Sequence, residues 1–98
     1  IVDCLTLWLT NWLMPAPDLP AQQDAADTWP AQAAQFLQAL QQAPGPVILV
    51  SNEIGLGVIP LGREVRAFVD ALGTLNQQTA AVCNRVTFMA AGLPLQMK

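Results

Sequence analysis

The chain has 98 residues, 53% of them hydrophobic and 11% charged, with four basic and seven acidic side chains and a net charge of −3. That length holds one domain at most, and so apolar a composition with so few charges leaves surface for a partner to cover. The absence of any Lys/Arg cluster argues against nucleic-acid binding, no apolar stretch is long enough to span a bilayer as a helix, and two Cys with no His and no CxxC spacing argue against zinc.

Residues 1–4 read as the last part of a strand whose earlier residues are absent, so the chain is expected to be a piece of a longer one, with Asp3 at the strand's carboxyl end. Residues 5–14 then place Leu5, Trp8, Leu9, Trp12 and Leu13 at spacings of three and four, which makes one apolar helical face. The run PAPDLP at 15–20 cannot continue that helix, because its prolines fix φ and remove donors, and the loop is expected to run on through Asp24 and Asp27. Thr28 is placed to cap the next helix, with Pro30 in its first turn and Trp29, Ala33, Phe36, Leu37 and Leu40 as its buried stripe. Gln32, Gln35, Gln38, Gln41 and Gln42 cover its wet side. The three Trp are core or interface anchors in preference to a stacking platform.

Residues 47–50, VILV, fit a short strand buried on both faces, as in a parallel sheet. Two strands joined by helices in this way should be parallel, through a right-handed crossover. Ser51, Asn52 and Glu53 then emerge at the carboxyl end, where open α/β sheets place their ligands. Gly55 and Gly57 make a loop that permits positive φ or a close approach, and Pro60 bars a helix before Gly62.

Residues 62–82 give a long helix with Val65, Phe68, Val69, Leu72, Leu75, Thr79 and Val82 along one side, and Arg63, Glu64, Arg66 and Asp70 in its first turns. Gly73 inside it implies a close packing contact or a functional approach, and Asn76 falls near the apolar stripe. Residues 85–91 read as a third strand, and 93–98 as an extended end able to add a short final one. The fold class is therefore α/β, a mostly parallel sheet with flanking helices. Cys4 and Cys83, at the edges of apolar segments, read as reduced thiols of a cytoplasmic protein in preference to a disulfide.

Two strand-end carboxylates, Asp3 and Glu53, are the best chemical constellation. They either hold a hydrated Mg²⁺ or accept hydrogen bonds from a base or ribose, or else Asp3 caps the helix near Leu5 and Glu53 anchors the glycine loop. Arg63 and Arg66 either clamp a phosphate or carboxylate with forked donors, or form a solvated face with an ion pair from Arg66 to Asp70. There is no GxxxxGK[ST] loop, the only Lys is Lys98, and Ser51 and Thr6 have no His or Lys base to activate them. Alone, these residues are poorly equipped for catalysis.

The blocks DCLTLWLTN at 3–11, VSNEIGLGVIP at 50–60, Arg63 with Arg66, FVDALGTLNQ at 68–77 and AGLPLQMK at 91–98 resemble, in order, the carboxyl-terminal half of the bifunctional adenosylcobinamide kinase and adenosylcobinamide-phosphate guanylyltransferase family. The resemblance covers most of the chain outside residues 15–42, and implies a P-loop NTPase-like fold present only as its second half, residues 1–98 being part of a single domain. It implies phosphorylation of adenosylcobinamide with ATP or GTP and Mg²⁺, then transfer of GMP from GTP through a guanylylated His, in a homotrimeric assembly. On the match, Asp3 takes the acidic strand-end position that contacts the guanine nucleotide. Asn52 and Glu53 line the same cleft, and Gly55, Gly57, Arg63 and Arg66 are placed to meet phosphates or corrinoid. The phosphate loop and the His lie outside these residues. The rival reading is an inactive nucleotide-binding or assembly module of the same α/β type, and a third is an unrelated P-loop-like kinase fragment.

Overall fold

In the computed structural model of the chain, which describes residues 1–13, 25–55 and 62–98, three helices build the core. The elements are β1 (Val2–Asp3), α1 (Leu5–Leu13), α2 (Ala25–Gln42), β2 (Leu49–Val50), α3 (Arg63–Val82), β3 (Thr87–Ala90) and β4 (Leu93–Gln96). The PAPDLP loop, Asp24, Gly57 and Pro60 fall outside the described residues.

The apolar spacing of α1 does what periodicity requires. Leu5 and Leu9 are fully buried, and Trp8, Trp12 and Leu13 pack beside them. From α2 come Trp29 and Ala33, and from α3 come Leu72 and Leu75, all buried. The tryptophans lock the first two helices. The rings of Trp8 and Trp29 meet edge to face at 4.8 Å, Trp8 lies 5.0 Å from Phe36, and Trp12 lies 6.3 Å from Trp29. Such pairs contribute about 1 kcal/mol each beyond the area they bury.

β1 and β2 are parallel, with Val2 opposite Leu49 and Asp3 opposite Val50, and the Val2 amide donates to the Ile48 carbonyl at 2.8 Å. This pairing is the one expected of a strand–helix–helix–strand unit. Other expectations need correcting. β2 is two residues long, and Ile48 is 61% exposed, so the 47–50 run is not buried on both faces. The physical reason is that β2 has one strand neighbour among the described residues. Nor do β3 and β4 extend a parallel sheet: they pair with each other as an antiparallel hairpin, turned at Ala91 and Gly92, both at positive φ. A two-residue turn with both φ values positive matches the twist of the strands it joins.

Helix α2 starts at Ala25, so Asp27 is helical, Thr28 is not its cap, and Pro30 sits inside the helix instead of in its first turn. Burial of Trp29 and Ala33 against α1 and α3 overrides the local stop signal. α3 begins as expected, with Gly62 as its N-cap and the Arg66 amide donating to the Gly62 carbonyl at 3.0 Å. At its far end the Lys98 ammonium donates to the carbonyls of Ala80 and Ala81, each at 3.0 Å. A cation there also opposes the negative end of the helix dipole. Cys4 and Cys83 are free and half-buried. Among the described residues, no helix is long and apolar enough to cross a membrane.

Two positions in α3 carry stability predictions. A Cβ built on Gly73 meets nothing within 4 Å among the described residues, so no packing contact with them demands the glycine. Gly73→Ala is expected to raise the unfolding free energy by about 1 kcal/mol, read by urea denaturation; a loss of stability would mean that an approach to Gly73 exists in solution. The hydroxyl of Thr79 is buried without a hydrogen-bond partner among the described residues. Thr79→Val keeps the branched shape and removes an unpaired polar atom, so it should stabilise by about 1 kcal/mol in the same assay.

Candidate functional site

The carboxyl ends of β1 and β2 lie side by side, and the chain leaves each strand in a different way. After β1 it turns at once into α1, whose first hydrogen bond runs from the Trp8 amide to the Cys4 carbonyl at 3.2 Å. Asp3 is left exposed on the rim of an open cleft of about 570 Å³, lined also by Val2, Cys4, Leu7, Trp8, Asn11 and Phe36. Among the described residues no α1 amide bonds the Asp3 carboxylate, so Asp3 is not the cap of that helix. Leu7, Trp8 and Phe36 make most of its lining apolar, and Asp3 and Asn11 contribute a carboxylate and an amide.

After β2 the chain runs extended through Ser51, Asn52 and Glu53, and it is held by side chains from two helices. The Asn52 amide donates to the Thr6 hydroxyl oxygen of α1 at 3.0 Å. Asn76 of α3 donates its Nδ2 to the Asn52 carbonyl at 3.1 Å and accepts the Ser51 hydroxyl on its Oδ1 at 2.6 Å. Thr6 is steadied in turn, since the Thr10 hydroxyl donates to its carbonyl at 2.8 Å. The local sequence signalled Ser51 and Asn52 and missed Thr6 and Asn76. The one available hint was a polar residue, Asn76, near an apolar stripe.

Glu53 turns back on its own loop: the Gly55 amide donates to its Oε1 at 2.9 Å. A Cβ at Gly55 would sit 2.9 Å from that same oxygen, the far end of a flexible side chain that would have to shift to admit it. Glu53 is not among the residues lining the Asp3 cleft. The two carboxylates therefore share an edge of the sheet, while Glu53 lies outside the lining of the cleft and anchors its loop at Gly55 through Oε1. Arg63 and Arg66 are exposed in the first turns of α3. Among the described residues no ion pair joins Arg66 to Asp70, and no contact brings either Arg to Asp3, Asn52 or Glu53. Gly57 lies outside the described residues.

Among the described residues no three acidic, thiol or imidazole groups converge to hold a metal. A Mg²⁺ ion that arrives on nucleotide phosphates keeps most of its water and needs only one or two carboxylates. A lone Asp3 suits such an ion, and the donor set does not suit a cage built by the protein alone. A second groove, of about 530 Å³, lies where α2 and α3 end and includes Leu40, Pro46, Cys83 and Arg85; it holds none of the expected site residues.

Comparison with known proteins gives a consistent result. The sequence model of a family described as cobinamide kinase / cobinamide phosphate guanyltransferase matches residues 1–97. The bifunctional adenosylcobalamin biosynthesis protein CobP of Pseudomonas aeruginosa is 49% identical over 98 residues, covering all of this chain and 52% of its own length. The corresponding CobU proteins of Escherichia coli and Salmonella typhimurium are 34% and 32% identical, again over the whole chain and 57% of their own length. The chain thus spans about half the length of the curated relatives it matches.

Proposed function

The chain belongs to the cobinamide kinase / cobinamide phosphate guanyltransferase family, and from that premise we propose that its parent protein phosphorylates adenosylcobinamide with ATP or GTP and then transfers GMP from GTP to adenosylcobinamide phosphate. In the second reaction a His nitrogen attacks the α-phosphorus of GTP and pyrophosphate leaves; a phosphate oxygen of adenosylcobinamide phosphate then attacks the same phosphorus and releases the His. No His and no phosphate-loop Lys occurs in these 98 residues, so both groups come from the remainder of the parent, and this stretch by itself is inactive.

The observation that carries the reading is the parallel β1–β2 pair, which delivers Asp3 and the Ser51–Asn52–Glu53 segment to one edge. Asp3 and the exposed carboxamide of Asn52 face guanine nucleotide, while Glu53 shapes the loop that carries Gly55 and Gly57. Arg63 and Arg66, exposed in the first turns of α3 with Glu64 between them, could meet a phosphate with forked donors near the positive end of the helix dipole. Mg²⁺ enters with the nucleotide and neutralises its phosphates. The excess of exposed apolar residues fits a subunit completed by the rest of its chain and by further copies, a trimer on the family resemblance, in the cytoplasm.

The test uses the full-length parent. Incubation with α-labelled GTP and Mg²⁺ should leave acid-labile guanylate on a His. A folded protein that binds GTP and takes no label would favour the rival reading, a binding or assembly module. Placement of the chain in the carboxyl-terminal half of its parent belongs to the same reading. It requires the phosphate loop to lie upstream of Ile1, and a loop found downstream of Lys98 overturns it.

A further inference from the structure

Asn52 is an exposed residue whose backbone is held at both ends by side chains instead of by a neighbouring strand. Its amide is used by Thr6 from α1 and its carbonyl by Asn76 from α3, elements 46 and 24 positions away. The orientation of the Asn76 amide is set by chemistry, because the Asn52 carbonyl can only accept and so must face Nδ2, which leaves Oδ1 for the Ser51 hydroxyl. One side chain therefore ties down two successive residues. The Asn52 carboxamide makes no hydrogen bond among the described residues. A fixed backbone with an unengaged donor–acceptor side chain is the arrangement that lowers the entropy lost on binding.

We infer that Asn76 is a positioning residue: with Thr6 as its counterpart, it fixes the Ser51–Asn52 backbone from which the Asn52 carboxamide is presented to guanine nucleotide. This rests on the reading of Asn52 as a nucleotide contact given above.

The test is a double-mutant cycle on the full-length parent, with Mg-GTP affinity measured by equilibrium titration and folding followed by circular dichroism. Asn76→Asp keeps the acceptor for Ser51 and sets oxygen against the Asn52 carbonyl; it should weaken Mg-GTP binding about tenfold. Thr6→Val, which removes the other anchor at constant shape, serves as the second variant and should act in the same direction. In an Asn52→Ala background, Asn76→Asp should add less than about twofold, because the group it positions is gone. An undiminished tenfold loss in that background, or unchanged affinity in both single variants, overturns the positioning role. If Asn52→Ala alone leaves Mg-GTP affinity unchanged, the nucleotide reading of Asn52 falls first and takes this inference with it.

Discussion

Leu72→Ala is expected to lower the unfolding free energy by about 3 kcal/mol, because it removes a side chain with no exposed surface from the meeting point of three helices. Leu72 shares its cluster with Leu5 and Leu9 of α1, Trp29 and Ala33 of α2 and Leu75 of its own helix. The large Trp8, Trp29 and Phe36 rings are wedged against one another and cannot collapse into the vacated space without breaking their edge contacts. For a domain of this size the loss corresponds to a fall in melting temperature on the order of 10–20 °C. Urea or thermal unfolding reads the effect, and a loss below about 1 kcal/mol would mean that the three-helix cluster is not the principal core.

Asp3→Ala in the full-length parent is expected to weaken guanine nucleotide binding by about 10- to 100-fold, the range that a charge-assisted hydrogen bond supports. Asp3 is exposed and makes no cap bond with α1, so the same substitution should leave the melting temperature nearly unchanged. Asp3→Asn separates the two components: it keeps the shape and one acceptor, and an intermediate loss would assign the remainder to charge. Equilibrium titration with Mg-GTP gives the answer. Unchanged affinity in both variants would return Asp3 to solvated surface and leave the cleft as a packing gap between α1 and α2.

What could be read from sequence was whatever depends on near neighbours along the chain. Spacings of three and four in 5–14 and 62–82 named most of the buried sides of α1 and α3, including Leu5, Leu9, Leu72 and Leu75, because helical geometry brings such positions to one face, while Val65, at the start of the same stripe, is exposed. The tryptophans were placed correctly for the same reason. Local rules failed where a more distant contact outweighed them. Pro30 did not delay α2, since Trp29 and Ala33 gain more from burial in the three-helix core than the missing amide costs. At Gly73, of the two expected reasons for a glycine, a packing contact is absent among the described residues, which leaves a functional approach.

By itself the amino-acid sequence determined the helix faces, the strand order around Asp3 and the polar run after residue 50, and the motif blocks that carry the family. Only the tertiary structure decided how the strand-end residues are used. Glu53 folds onto Gly55 instead of meeting Asp3, the apolar 47–50 run keeps an open face, and Asn76 reaches back across 24 and 25 positions to hold Asn52 and Ser51. A side chain's period announces which way it points, but its partner depends on which distant element packs opposite, and that is settled only when the whole core closes.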